Sequence, residues 1–437
     1  MCGLQEGLNQ KNDFFGSHLG CYSAKRPHIC EFVVVVVVVL LFVFIELSLA
    51  LNSALSRLTS PLDSSHMQLN WLKLEDFRNY PELEIDLTEA PVLALVGPNA
   101  QGKTNLLESI AFLALGKSFR SRKALETLGW DRPHGRIKGE IERDGKATEL
   151  EIFLQRSPDS KKLKRQGQIV KPKEFLGNLR VVIFTPEHLQ MITGSPRLRR
   201  QFMDRVLVQL DQSYVMALGT YQAVLKQRNA LLKQIQMKRS QKWELEMWDV
   251  RLVQEAERLW NKREGLMEFV CDEVGELYRA IAKTDDELTL RYHPDKERFD
   301  ERLIAHIDAD LRSGSTSIGP HRDDFTLLLN GRSLADFGSR GECRSGVLAL
   351  KIAQIHYIEK ACGHKPLLLL DDVFSELDAD RQLHLGKLLK DYQAVITTTS
   401  LDHVKGLLDA NIYLVNDGGL IKYLPQNADK EQESQAK

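Results

Sequence analysis

The stretch Gly97-Pro-Asn-Ala-Gln-Gly-Lys-Thr104 sets two glycines, a lysine and a hydroxyl at the spacing that holds a phosphate chain. Glycines at both ends free the backbone for angles that turn successive N–H groups inward onto phosphate oxygens. A helix beginning near Lys103 adds its unpaired N–H groups and the positive end of its dipole. Lys103 would reach the β- and γ-phosphates and the Thr104 hydroxyl would ligate Mg²⁺. The expected nucleotide-binding set is therefore Gly97, Pro98, Asn99, Ala100, Gln101, Gly102, Lys103, Thr104 and Asn105. Far along the chain, the apolar run Leu367–Leu370 ends in Asp371-Asp372. Asp371 would hold Mg²⁺ through water opposite Thr104, and Asp372 would orient or deprotonate the attacking water. ATP and Mg²⁺ are the ligands this chemistry predicts.

These residues work only on the right elements. Val92–Val96 reads as a buried strand before the loop and Leu106–Leu115 as a helix after it, the order a phosphate loop requires. From Met67 the pattern is α/β. Strands are expected at 69–74, Leu83–Leu87, Ile137–Ile141, Leu150–Leu154, Leu179–Phe184, Glu287–Tyr292, Phe325–Leu329 and Ala394–Thr398. Residues 155–173 are polar and lysine-rich, an exposed loop or hairpin. Between Pro196 and Ile281 the period becomes helical, with Leu198, Phe202, Val206 and Leu210 on one face. Tyr214, Leu218, Tyr221, Leu225 and Leu232, then Trp248, Leu252, Leu259, Leu266, Phe269 and Leu277, predict a helical hairpin inserted into the α/β unit. Val347–Ile358 reads as an amphipathic helix. After Ala394–Thr398 a helix and a final hairpin around Asn416–Gly419 are expected.

The chain has 437 residues, 43% hydrophobic and 27% charged, enough for two or three ordinary globular domains. Net charge is −1, and the four Lys/Arg and five Asp/Glu of residues 1–66 leave the remainder neutral, so any nucleic-acid surface must be local. The six cysteines form no CxxC pair, which fits a reduced cytoplasmic setting. Phe32 to Leu51 is an almost unbroken apolar run with seven consecutive valines, Val33–Val39, long enough to span a bilayer. Three readings compete for residues 1–66: a membrane anchor, an unusual targeting segment, or upstream sequence joined by an early start codon. Because Met67 opens a well-patterned strand, the third is expected, an extension outside the fold with no membrane role. The expected division is head 67–195, helical lobe 196–285, head 286–425 and a polar, disordered tail 426–437.

Ser339-Arg-Gly-Glu-Cys-Arg344 precedes a helix and resembles the Ser-Gly-Gly-Gln signature of ABC-type ATPases. In those proteins the signature serine and helix N-terminus contact the γ-phosphate held by a second subunit. Ser375-Glu-Leu-Asp378 resembles the loop that crosses such a dimer interface. Five separated stretches sharpen the match: Phe77-Arg-Asn-Tyr80, the phosphate loop, 186–204, Gly319-Pro-His-Arg-Asp-Asp324 and Leu368–Asp378. With them the chain from Met67 to Pro425 resembles the RecF family of bacterial DNA replication and repair proteins, relatives of SMC ATPases. The resemblance implies an ABC/SMC-type P-loop ATPase head with an inserted helical lobe and an ATP-dependent homodimer. It also implies weak ATP hydrolysis, binding to single-stranded, gapped or duplex-junction DNA, and cooperation with RecR and RecO in loading RecA and in the SOS response. Ser339 and Gly341 join the site through it.

The family's signature carries Gln where this chain has Glu342, and often another at Cys343. A carboxylate there would repel a partner's triphosphate unless turned away or paired, for example with Arg340 or Arg344. Candidate DNA contacts are Lys117, Arg120, Arg122 and Lys123; Lys161, Lys162, Lys164 and Arg165; and Arg197, Arg199 and Arg200. His321 and Arg322 fit either the nucleotide site or a brace before the signature. The rival reading is an ABC transporter-type ATPase subunit anchored by the N-terminal apolar run.

Overall fold

The computed structural model describes residues 67–404 and 410–423. The apolar run 32–51, the expected tail 426–437 and most of the helix expected after Thr398 lie outside the described residues. Strands are β1 Met67–Phe77, β2 Tyr80–Asp86, β3 Val92–Val96, β4 His134–Arg143, β5 Lys146–Gln155, β6 Ser160–Arg165, β7 Gln168–Ile169, β8 Val181–Phe184, β9 Leu288–His293, β10 Asp324–Leu329, β11 Arg332–Ser333, β12 Leu367–Asp371, β13 Ala394–Thr398, β14 Ala410–Asn416 and β15 Gly419–Lys422. The long helices are α1 Lys103–Leu115, α2 Pro196–Leu210, α3 Gln212–Gln236, α4 Glu246–Ala282, α5 Arg340–Cys362 and α6 Ala379–Leu389.

Apolar residues on both faces force β3, β12 and β13 to the middle of a sheet covered on each side. That sheet runs β15-β14-β3-β13-β12-β8, parallel throughout except for the terminal β14–β15 hairpin. Its side chains alternate between two cores. Leu93, Leu95, Leu367, Leu369 and Val395 pack with α1 and the antiparallel sheet β2-β1-β4-β5-β6-β7. Ala94, Val96, Leu368, Leu370 and Ile396 pack with α2, α4 and α5. Helix α1 is apolar on nearly every side because it lies between two sheets.

Parallel pairing brings the C-terminal ends of β3 and β12 to one rim, with β13 between them: Thr397 pairs with Leu95 and with Asp371. The phosphate loop and Asp371-Asp372 therefore emerge side by side, although hundreds of residues separate them. Helices α3 and α4 form the hairpin, and the small sheet β11-β10-β9 packs on α4 through β9.

The polar stretch 155–173 contains a hairpin, one of the two forms expected: residues 160–169 extend the antiparallel sheet, with Leu163 buried. One element differs from expectation. Helix α5 is not amphipathic over Val347–Ile358: Leu348 through Ile355 are all buried. It lies between β8 on one side and α2 and α4 on the other, which covers these residues from bulk solvent.

Candidate nucleotide-binding site

The loop after β3 is shaped by positive backbone angles at Ala100 (φ 67°) and Gly102 (φ 110°). Gly102 caps α1 without any side-chain hydrogen bond, and no acidic residue sits in the first turn. The helix start is thus an uncompensated positive end facing the loop, the environment an anion requires. A Cβ on Gly97 would come within 2.5 Å of the Val415 carbonyl oxygen, so only glycine lets this strand end lie against β14.

Lys103 is 6% exposed and its Nζ donates to the carbonyls of Gly97 (2.6 Å) and Pro98 (2.7 Å), lying back along the loop. Burial pushes its pKa below the ordinary lysine value, opposed by Asp372 and then Asp371. Thr104 Oγ1 donates to Asp371 Oδ1 at 2.8 Å, and Thr397 Oγ1 donates to the same oxygen at 2.7 Å. Burial pushes the Asp371 carboxyl upward, while these two hydroxyls pull it down. One carboxylate and one hydroxyl in contact match Mg²⁺, which takes few protein ligands and keeps waters and phosphates for the rest.

Asp372 sits at φ 48°, its N–H bound to Thr397 Oγ1 at 2.9 Å. That conformation costs free energy in a non-glycine residue and sets the direction of the side chain. Its Oδ1 is buried without a partner, an acceptor left open beside the phosphate loop's lysine.

The structure thus brings Gly97–Asn105, Asp371 and Asp372 together and adds Thr397, to which sequence reasoning gave no role. It adds a clamp as well. Tyr80 OH donates to Gly102 O at 3.0 Å, Asn79 Nδ2 to Gln101 O at 3.2 Å, and Asn105 Nδ2 to Asn79 Oδ1 at 2.8 Å. Beside Asn79, the N–H groups of Asp417 and Gly418 bind the Gln101 side-chain and backbone oxygens at 2.7 and 3.1 Å. Arg78 makes a bidentate pair with the fully buried Glu108 of α1 at 2.8 and 3.0 Å. The visible signal was the polar Arg-Asn-Tyr set at a tight turn between two strands.

Ser339 and Gly341 lie at the start of α5, where their contacts are separate from this group. Ser339 Oγ accepts from Glu342 N–H at 3.2 Å, and Glu342 Oε2 accepts from Ser339 N–H at 2.7 Å, a reciprocal capping box. The Glu342 carboxylate is therefore paired with its own backbone, and the side chain bonded to Glu376 is that of Arg344, at 3.2 Å. Arg381 of α6 donates to Gly341 O at 3.1 Å and to Ser345 Oγ at 2.9 Å, and also pairs with Asp378. Ser375 Oγ donates to the Asp372 carbonyl at 2.7 Å. Segment 372–381 thus joins the acidic strand end to the start of α5.

The basic stretches divide. Arg199 binds Asp324 through two nitrogens and three carbonyls besides, and Arg200 binds the Asp323 carbonyl at 2.7 Å. Arg120 bonds Asn105 Oδ1 at 2.9 Å, Lys161 the Gly116 carbonyl at 2.8 Å, and Lys164 pairs with Glu151 at 2.9 Å. Arg122, Lys123, Lys162 and Arg197 remain exposed.

His321 and Arg322 brace the segment before β10: both bond the Thr316 carbonyl, and His321 also meets Tyr221 of the lobe. His321 Nε2 meets the Thr316 carbonyl at 3.0 Å and so must donate; its Nδ1 then accepts from Tyr221 OH at 2.6 Å. Burial lowers its pKa to about 4, matching this neutral ring. Beside it, Asp323 accepts from Trp260, Tyr292 and Arg263, while Arg263 also binds Asp204, Tyr214 and the Pro320 carbonyl.

The family model described as RecF/RecN/SMC N terminal domain matches residues 68–416. The DNA replication and repair protein RecF of Geotalea uraniireducens (strain Rf4) is 38% identical over 371 residues, 81% of this chain and 100% of that protein. The protein of the same name from Halalkalibacterium halodurans is 35% identical over 372 residues, covering 82% and 100%. Two solved structures of the recombination mediator protein RecF in the RecFOR pathway, titled RecF-ATPrS and RecF-ATP, each superpose with TM-score 0.77 at 30% identity. They cover 83% and 84% of this chain and 100% of theirs. A Smc head domain from Pyrococcus yayanosii, 13% identical with TM-score 0.50 and covering 85% of this chain and 100% of its own, shares the fold alone. With its family model spanning most of the described residues and its relatives matched over their full length, the chain belongs to the RecF family.

Proposed function

We propose that this protein is an ATP-controlled, DNA-binding clamp of replication and recombinational repair. The observation that carries the proposal is the phosphate loop on an uncapped helix start, joined through Thr104 to Asp371. The relatives' shared name, DNA replication and repair protein RecF, and the ATP in the titles of the matched structures supply the nucleotide and the process. ATP would lie along residues 97–105, with Lys103 swinging from its own loop carbonyls onto the β- and γ-phosphates. Thr104 and Asp371 would hold Mg²⁺, which supplies charge neutralisation on the phosphates. Asp372, with its open Oδ1, would accept a proton from the attacking water.

Residues 67–195 and 286–425 form the head in this reading, with 196–285 as the inserted lobe. A second copy completes the site: Ser339 and Gly341 at the start of α5 would face the γ-phosphate bound by the partner. Two heads closing on ATP would hold single-stranded, gapped or junction DNA, and hydrolysis would reopen them. Of the basic stretches, the exposed Arg122, Lys123, Lys162 and Arg197 are the cations offered for phosphate-backbone contacts. RecR and RecO are the expected partners, RecA the indirect beneficiary in gap repair and the SOS response, and the cytoplasm the expected compartment. The transporter reading lacks comparable support. Among the described residues no helix is long and apolar enough to cross a membrane, and the family is one of DNA replication and repair.

The test is a gel shift of the chain from Met67 on gapped, single-stranded and duplex DNA, with ATP or ADP. A shift that depends on ATP and favours gapped or single-stranded DNA is expected. Equal binding with both nucleotides would remove the clamp from the account.

A further inference from the structure

A cavity of about 460 Å³ opens beside Thr104 and Asp371 and runs along β8 between α1, α2 and α5. Strand β8 is the sheet edge, so this side has no neighbouring strand to fill it. The walls carry more positive charge than they neutralise. Lys351, in the middle of α5, is 4% exposed, and the hydrogen bond of its Nζ goes to the neutral Gln354 Oε1 at 3.4 Å. Arg205 of α2 lines the same space, and among the described residues its guanidinium has no hydrogen bond or ion pair. His188 accepts from Thr185 N–H through Nδ1 at 3.0 Å, which leaves its proton on Nε2 as a further donor in the lining.

Two carboxylates reach the lining, and neither neutralises this pair. Asp371 is taken by Thr104 and Thr397, and Glu187 stands exposed at the rim. Burial, then Arg205, push Lys351 well below the ordinary lysine value. Burial and Arg205 likewise lower Lys117, and burial and Lys117 lower Lys161. Asp204, which partly offsets this at Lys117, is already bound to Tyr214 and Arg263. The exposed Lys117 follows Leu115, which lines the cavity, by two residues, and the exposed Lys161 bonds the Gly116 carbonyl between them at 2.8 Å. Like charges held this close in a low-dielectric interior lack only an anion.

We propose that the cavity is an oxyanion compartment that takes orthophosphate formed at the Thr104–Asp371 end and passes it by Lys351 and Arg205 toward Lys117. This rests on the nucleotide reading above. Hydrolysis supplies the ion: a water oxygen bonds the γ-phosphorus, the bridging oxygen leaves with ADP, and one proton is released to solvent through Asp372. The dianion left behind meets two uncompensated cations next to the site of bond cleavage. Water alone would leave both without a counter-ion.

Equilibrium dialysis of radiolabelled inorganic phosphate against the full chain tests the compartment. A saturating non-hydrolysable ATP analogue with Mg²⁺ keeps the phosphate loop filled. Phosphate should still bind, and Lys351→Met and Arg205→Gln should each weaken it about tenfold or more, the loss of one charge-assisted contact, with analogue affinity unchanged. Lys351→Met keeps the volume of a buried side chain and so guards against an unfolded control. No phosphate binding once the analogue is seated, or equal binding by both variants, overturns the proposal. A single turnover with γ-labelled ATP separates product from bulk phosphate. Label should stay on the protein after ADP forms in the parent and escape without delay in Lys351→Met. Immediate escape from the parent overturns the product assignment. Failure to bind the analogue at all would overturn the nucleotide reading instead, and charge-dependent phosphate binding would still stand by itself.

Discussion

Glu342 puts a negative charge at the third residue of α5, where its carboxylate closes a capping box on Ser339. A capping carboxylate stabilises its own helix and weakens the attraction of that helix start for a partner's γ-phosphate. Glu342→Gln keeps an acceptor for the Ser339 N–H and removes the charge. Sedimentation velocity with ATP should then show dimers about two- to fivefold tighter, the effect of roughly 0.3–1 kcal/mol at a helix terminus. Dimers unchanged or weaker would mean the carboxylate stands clear of the interface.

His321 gives a second prediction at the same scale. With its native pKa near 4 and an ordinary unfolded value of 6.5, the unfolded chain takes up the proton first as pH falls. Its contribution to stability is therefore whole above pH 6.5, declines below that and levels off near pH 4. The loss is on the order of 3 kcal/mol across that window. Urea unfolding at several pH values should fall more steeply for the parent than for His321→Gln. Parallel curves would contradict the buried neutral ring.

At the scale of elements, the phosphate loop depends on two adjoining turns that both bond Gln101. Tyr80→Phe removes the bond to Gly102 O and should cost about 1 kcal/mol of stability, with several-fold weaker nucleotide binding by fluorescence titration. Nucleotide affinity equal to the parent's would show that the loop keeps its shape unaided. Where the lobe meets the segment after it, Asp323 joins Trp260, Tyr292 and Arg263. Asp323→Ala leaves Arg263 buried with less compensation and should lower the unfolding free energy by about 3–5 kcal/mol, read from the urea midpoint. A loss below 1 kcal/mol, an exposed pair's worth, would count against the network.

The elements differ in how far local sequence announces them. Strand β3, the loop and α1 were legible because apolar run, glycines and helix follow one another within 24 residues, Val92–Leu115. The acidic end of β12 was legible as chemistry, since an apolar strand closing on two aspartates leaves few other uses. Thr397 was not: its hydroxyl matters only because β13 lies between β3 and β12, a consequence of strand order. Arg199 and Arg200 look like a basic patch in one dimension and are tied to Asp324 and Asp323 in three. The buried Lys351 gave no signal, because a lysine in a helical pattern reads as a solvent face until the packing around it is known.

At the scale of the whole molecule, each nucleotide end and each signature end would remain half a site until two copies meet. The bridge from Asp372 through Ser375, Asp378 and Arg381 to Gly341 ties the two ends within one head. A change at the γ-phosphate would therefore be felt at the start of α5. Such coupling would allow slow hydrolysis to control a large assembly, if binding free energy to DNA depends on which nucleotide is held, as proposed. The most direct test is sedimentation of fluorescently labelled gapped DNA with the chain from Met67, comparing ATP, ADP and Lys103→Met. The account predicts a fast-sedimenting complex of two subunits per DNA with ATP alone, absent with ADP and absent for Lys103→Met. The same complex with ADP, or with Lys103→Met, would contradict it.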